Sequence, residues 1–221
     1  MFQKVIISDD LGSVNHGVSS ILKDLGVPEI IQVQYCDDAY LKIKKGGMEA
    51  KPFDLLITDL SFKMDHREQR FASGEALIHE LRNGALPIAI IVYSVEDRPL
   101  KLRKLMQGLQ VNGFVNKGRN GLKELRQCID AVAQGHNFVS PHLEGLLRQN
   151  NQPEFGDYEA LLLEALAQGY SQEEISSQFK QQKISPSSLS SIEKRLHQLR
   201  EDFKANNVTH LVSIAKDLGL I

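Results

Sequence analysis

Apolar positions along the first 140 residues follow two alternating periods. Short β-rich runs stand at KVIIS, IIQVQYC, DLLITD, IAIIVYS and NGFVN. Between them apolar residues return every three or four positions, as at Val14, Val18, Ile21, Leu22 and Leu25, and again at Leu122, Leu125, Ile129 and Val132. Continuous apolar runs suit strands buried on both sides, and the longer spacing suits one face of a helix. Five strands alternating with helices predict a parallel sheet covered on both faces, with right-handed crossovers. In such a sheet a ligand site lies outside the carboxyl ends of the strands.

The pattern then changes. RQNNQPEFGD (148–157) is polar and carries Pro and Gly, which suits a linker. Beyond it only helical spacing is found. YEALLLEALAQG (158–169) is a helix closed by Gly169. SQEEISSQF opens with Ser171 and has Glu174 three residues on, the pattern of a capping box. SSIEKRLHQLREDF (190–203) places Ile192, Leu196, Leu199 and Phe203 on one stripe, and VTHLVSIAKDLGLI is a fourth helix. The expected division is an α/β domain over 1–140, a linker over 141–157 and an all-α four-helix domain over 158–221.

Composition narrows the classes. Of 221 residues 42% are hydrophobic and 24% charged, as in ordinary globular proteins. A formal net charge of −2 gives no reason to expect a nucleic-acid or membrane partner from bulk charge. Cys36 and Cys128 fit no metal spacing; Cys128 falls on the apolar stripe with Leu125 and Ile129, and both read as buried free thiols. The start MFQKVIISDD is neither a signal peptide nor a membrane span, so a cytoplasmic protein is expected.

The chemistry gathers at strand ends. Asp59 closes the run LLITD, where a carboxylate loses hydration and needs partners. Asp9 and Asp10 follow the first strand, Ser94 ends the fourth, and Lys117 follows the fifth. Three converging carboxylates suit a hard divalent cation such as Mg²⁺. A lysine and a hydroxyl beside them complete a site for an incoming phosphoryl group, with Asp59 as in-line nucleophile. An aspartate-nucleophile phosphohydrolase uses similar parts. It needs a second acid two residues after the nucleophile, and Ser61 stands there.

With IISDD, DLLITDLS, IIVYS and NGFVNKG in this order, residues 1–140 resemble the receiver domain of bacterial two-component response regulators. The stretch from Gly113 to Leu147 resembles receivers that precede a helix-turn-helix. The resemblance implies a flavodoxin-like five-stranded parallel sheet and phosphorylation of Asp59 by a sensor histidine kinase. It implies Mg²⁺ held by Asp9, Asp10, Asp59 and the backbone carbonyl of Ser61. Lys117 would contact the phosphoryl group, Ser94 would be the switch hydroxyl, and Phe114 the switch aromatic that turns inward. The loop SFKMDHREQRFASGE is longer than the family's usual one. Val95 stands where the family often has a small residue, and His66 reads as a solvated loop residue.

Residues 158–221 resemble the LuxR/NarL-type helix-turn-helix that follows such receivers. The resemblance makes 190–203 a recognition helix for the major groove of double-stranded DNA. Ser191, Lys194, Arg195, His197, Gln198 and Arg200 are its candidate contacts, with Arg195 the expected base-edge donor. Lys180, Lys183 and Lys204 are candidates for phosphates. The implied whole is a transcription regulator, not an enzyme, that dimerises on phosphorylation. Against DNA stand seven Lys and Arg facing ten Asp and Glu over 151–221, Glu193 where the family often has lysine, and a turn longer than usual. A helical domain that contacts a partner protein is the alternative.

Overall fold

A computed structural model describes residues 1–63, 65–148 and 155–221. The chain divides into two compact units, the first built from Met1–Asp97 and Leu102–Leu147, the second from Arg98–Lys101 and Arg148–Ile221. In the first unit β1 (Lys4–Ser8), α1 (Gly12–Asp24), β2 (Glu29–Val33), α2 (Cys36–Met48), β3 (Leu55–Thr58) and α3 (Gly74–Asn83) alternate. They are followed by β4 (Ala89–Ser94), α4 (Pro99–Arg103) with a wider turn over Lys104–Gly108, β5 (Gly113–Asn116) and α5 (Gly121–Ala133). A short β6 (Phe138–Val139) and α6 (Pro141–Arg148) close the unit. Residues of the expected linker thus include a helix.

The sheet is parallel throughout, in the order β2-β1-β3-β4-β5-β6. The first five places are the flavodoxin-like order. The sixth strand adds to the five expected: Phe138 and Val139 pair with Gly113 and Phe114. Alternation along the strands sorts the core into two faces. Ile6, Leu56, Ile90, Val92 and Phe114 meet α2, α3 and α4 through Ala39, Ile43, Leu77, Leu81 and Leu102. Val5, Ile7, Leu55, Ile57, Ile91 and Val115 meet α1 and α5 through Val18, Leu22, Leu125 and Ile129. Every β3 side chain is buried, which is why this strand reads as an unbroken apolar run. Both cysteines are free and buried, and burial pushes the Cys36 thiol up to about 12.

The second unit has α7 (Asp157–Ala167), α8 (Gln172–Gln181), α9 (Leu189–Asp202) and α10 (Val208–Asp217). Leu162, Leu163, Ile175, Phe179, Ile192, Leu196, Leu199 and Leu211 form its core. Gly169 ends α7 at φ +93°, a backbone state that favours glycine. The Ser171 hydroxyl accepts from Glu174 N–H at 3.2 Å and the Glu174 carboxylate from Ser171 N–H at 2.8 Å, the predicted capping box. Among the described residues no helix is long and apolar enough to cross a membrane.

Candidate functional site

The site stands where the hydrogen-bonded ladder runs one step past the strands. Ser8 pairs with Thr58, and the next amide, Asp59 N–H, donates to Ser8 C=O at 3.0 Å. On the far side, Lys117 N–H donates to Ser94 C=O at 2.7 Å. Backbone pairing therefore fixes Asp59 beside the end of β1 and Lys117 beside the end of β4. The Lys117 side chain then reaches back to donate to Asp9 and to Asp59, at 2.6 Å each. Their side chains are 10%, 3% and 8% exposed, so both ion pairs are largely removed from water.

Electrostatics follow from that burial. Desolvation works against the Lys117 ammonium, yet its hydrogen bonds to Asp59 and Asp9 hold its pKa above the usual lysine value. Desolvation pushes the Asp9 carboxyl up, opposed by Lys117 and by the Leu11 N–H that donates to it at 3.0 Å. Asp10 is half-buried, and its carboxylate accepts from Lys63 N–H at 2.9 Å. One carboxylate oxygen from each of Asp9, Asp10 and Asp59 falls within 4.8 Å of the others. An all-oxygen set of this size fits a hard divalent cation. Ser94 is fully buried at the end of β4, and Ser61 is exposed two residues after Asp59.

Phe114, the expected switch aromatic, is fully buried in this structure. Its partners across the sheet are Val92 and Val139, so it lies on the apolar face under α4. Burying a phenyl ring there is strongly favourable, and β6 supplies part of the wall.

Several contributors carry no sequence signal. The Asn15 carboxamide donates to Asp9 C=O at 2.7 Å, and the Thr58 hydroxyl to Asp59 C=O at 2.8 Å. Lys117 Nζ lies 5.6 Å from the centre of the Tyr93 ring. Gly74 opens α3 against Asp59; an added methyl would collide with the Asp59 carbonyl, so only glycine fits. The long loop after Asp59 is tied to the first turn of α2. Asp37 accepts from Arg70 and Phe71 N–H at 3.0 and 3.1 Å. Arg67 forks onto Asp38 at 2.7 and 3.2 Å and lies over the Tyr35 ring. His66 and Val95 are exposed.

The second unit presents α9 as expected. The Ser188 hydroxyl caps it by accepting from Ser191 N–H at 3.2 Å, and Ser191 is half-buried there. The Ser176 hydroxyl donates to Ser187 C=O, and the Tyr158 hydroxyl to Pro186 C=O, which fixes the turn before the helix. Glu193, Lys194, His197 and Gln198 are exposed, as are Lys180, Lys183 and Lys204. Gln198 donates to Asp202 at 2.8 Å, and Arg200 to Asn206 C=O at 3.1 Å.

Arg195, the expected base-edge donor, has a partner inside the unit. Its Nε–H donates to Glu159 at 2.7 Å, and the other Glu159 oxygen accepts Gly156 N–H at 2.7 Å. The arginine thus ties α9 to the start of α7, because the Glu159 carboxylate is buried there and needs a cation. Desolvation would raise the Glu159 pKa, but Gly156 N–H and the guanidinium hold it below the usual value. Arg195→Ala is expected to destabilise the second unit by about 1–3 kcal/mol by leaving that carboxylate unpaired. Lys194→Ala is expected to change stability by no more than about 0.5 kcal/mol. Urea unfolding of the two variants checks this; equal midpoints would remove the structural role from Arg195.

No family model matches the chain, and no curated protein does. Solved structures do. RcsB dimers bound to two parallel DNAs match with 21% identity over 96% of each chain and a TM-score of 0.65. The Salmonella typhimurium RcsB response regulator matches with 20% identity over 97% of this chain and 99% of its own, at 0.67. The isolated REC domain of RcsB from Salmonella enterica serovar Typhimurium, with the phosphomimetic BeF3-, matches 66% of this chain and 99% of its own, at 23% identity and 0.54. The fold is similar to that of these RcsB structures. At these identities the likeness speaks for architecture: a parallel α/β unit followed by a helical one.

Proposed function

We propose that the protein is a two-component response regulator of the receiver and helix-turn-helix type, with Asp59 as phosphoacceptor. The observation that carries this reading is the Lys117 ammonium bridging buried Asp9 and Asp59 at the carboxyl edge of the sheet. Such a site neutralises an arriving phosphoryl group. The donor is a phosphohistidine of a sensor kinase: an Asp59 oxygen attacks phosphorus in line, the P–N bond breaks, and an acyl phosphate forms as the imidazole leaves. Asp9, Asp10, Asp59 and the Ser61 carbonyl would hold Mg²⁺, which supplies charge neutralisation for the phosphoryl oxygens. Lys117 contacts the transferred group, and the Ser94 hydroxyl moves toward it. With Phe114 already inward, Ser94 and its connection are the parts that respond. The product is a switched protein rather than a turned-over substrate, and the setting is the cytoplasm.

Output is dimerisation and binding to double-stranded DNA. In support, the similar RcsB structures include dimers on DNA and a receiver with a phosphoryl mimic. On this chain Lys194, His197 and Gln198 are exposed candidates of α9 for base edges, Ser191 lies in its first turns, and Lys204 serves phosphates. Arg195 and Arg200 position the helix. The excess of acids over bases in this unit favours a second reading, contact with a partner protein in place of DNA.

The first test is mass. Wild type incubated with a small acyl phosphate and Mg²⁺ is expected to gain one phosphoryl group, and Asp59→Asn none; full labelling of Asp59→Asn would sink the assignment. The second is a titration over a randomised duplex pool at two salt concentrations. Lys204→Ala is expected to weaken all duplexes alike and lower the salt slope by about one. Binding without a slope, or indifferent to Lys194→Ala and Lys204→Ala, would support the protein-partner reading.

A further inference from the structure

We propose that Asn116 is a positioning residue that couples the β4–α4 connection to α6, acting through Ser140 and Glu124. The inference rests on the response-regulator reading. It adds a route by which a change at Ser94 leaves the site.

Asn116 is the last residue of β5, next to Lys117. Its carboxamide nitrogen donates to the carbonyls of Val95 and Glu96, at 3.3 Å each. Those two residues directly follow Ser94. The last rung of the β4–β5 ladder is Lys117 N–H on Ser94 C=O, so past that rung the Asn116 side chain takes over from the sheet. Both of its bonds are long, at the weak end of the hydrogen-bond range, and can be exchanged at small cost. A displacement of the two residues after Ser94 therefore acts directly on the Asn116 side chain.

The other side of Asn116 is fixed. Its backbone N–H donates to the Ser140 hydroxyl at 3.0 Å, and that hydroxyl donates to the Glu124 carboxylate of α5. Ser140 is fully buried, and its own N–H donates to Phe114 C=O at 2.9 Å. It immediately precedes α6, and its carbonyl accepts from Leu143 and Glu144 N–H at 2.8 and 3.3 Å. A continuous set of hydrogen bonds thus leads from the Ser94 connection to the opening turn of the last helix of the first unit. Coupling between distant elements is carried by connected hydrogen bonds of this kind where they can take two discrete arrangements.

The test is hydrogen exchange by mass spectrometry on the full chain, with and without beryllofluoride and Mg²⁺. In wild type the mimic is expected to change exchange in 95–103 and in 141–148 together. In Asn116→Ala and Asn116→Asp, acyl-phosphate labelling of Asp59 and the response of 95–103 are expected to persist, while the response of 141–148 is lost. Ser140→Ala is expected to give the same loss from the other end, and Asn116→Gln, which keeps a donor, to restore part of it. A residue that merely held the fold would shift exchange equally with and without the mimic. Retention of the 141–148 response in Asn116→Ala, Asn116→Asp and Ser140→Ala overturns the inference alone. Absence of labelling in wild type overturns the response-regulator reading and the inference with it.

Discussion

Phe114→Ala is expected to cost the first unit about 3–5 kcal/mol, the range for truncating a fully buried phenylalanine. The ring has no exposed surface, pairs across the sheet with Val92 and Val139, and belongs to the buried cluster that holds Leu102, Leu105 and Val111. Neighbours anchored on two strands and on the segment from α4 to β5 cannot collapse far into the space left, so a cavity term adds to the lost burial. The measurement is urea unfolding, with hydrogen exchange at the amides of β4 and β5 assigning the transition to this unit. Phe114→Leu, which keeps most of the volume, is expected to lose much less. The variant also decides between two views of the switch. An aromatic that rested outside and turned in only on phosphorylation would cost under about 1 kcal/mol to truncate without the mimic. A large cost without it means that the ring is core in the resting protein.

How far the sequence carried differs between elements for physical reasons. The strands Val5–Ile7, Leu55–Ile57 and Ile90–Val92 were legible because both of their faces are covered, so each is apolar throughout. The acids and the lysine were legible because they stop such runs abruptly. Phe138 and Val139 were not: two residues define no period, and they become a strand only because Gly113 and Phe114 offer a free edge. Gly74 and Asn15 escaped notice because their contribution is to the backbone of Asp59 and Asp9, and nothing local announces it. The ion pair of Arg195 is hidden for a related reason. Helical spacing gives its place on α9, but its partner Glu159 lies 36 residues earlier, and a helix stripe says nothing of what faces it. Helical spacing finds the buried face; it does not tell which exposed cation is already committed.

Lys117→Met is expected to have the largest effect on the site, and a sign that depends on pH and on metal. Methionine keeps much of the side-chain volume and removes the charge. Asp9 and Asp59 are then left close together, buried and without the ammonium, and breaking a buried pair from one side costs about 3–5 kcal/mol. The loss is not constant. In the variant a carboxyl of the pair has its folded pKa raised above the unfolded value, by burial and by its neighbour. Such a group costs nothing below the unfolded carboxylate range, where both states are protonated. The penalty grows as pH rises from the unfolded value toward the raised one and is complete above it. Wild type behaves oppositely at the other end. Its Lys117 pKa is raised by the two carboxylates, so that contribution is full below the ordinary lysine value and is lost as pH climbs through the folded one. The gap between the two proteins is thus expected to be widest around neutral pH and to close on acidification. Mg²⁺ supplies the second signature. In wild type a cation must share carboxylates already held by Lys117, whereas in the variant it meets them unpaired. Added Mg²⁺ is therefore expected to raise the melting temperature of Lys117→Met more than that of wild type, as a ligand that binds only the folded state does. Labelling of Asp59 by acyl phosphate is nevertheless expected to fall, because the restored charge balance lacks the lysine that contacts the transferred group. A variant as stable as wild type at neutral pH and indifferent to Mg²⁺ would mean that Lys117 does not hold the two carboxylates together in solution.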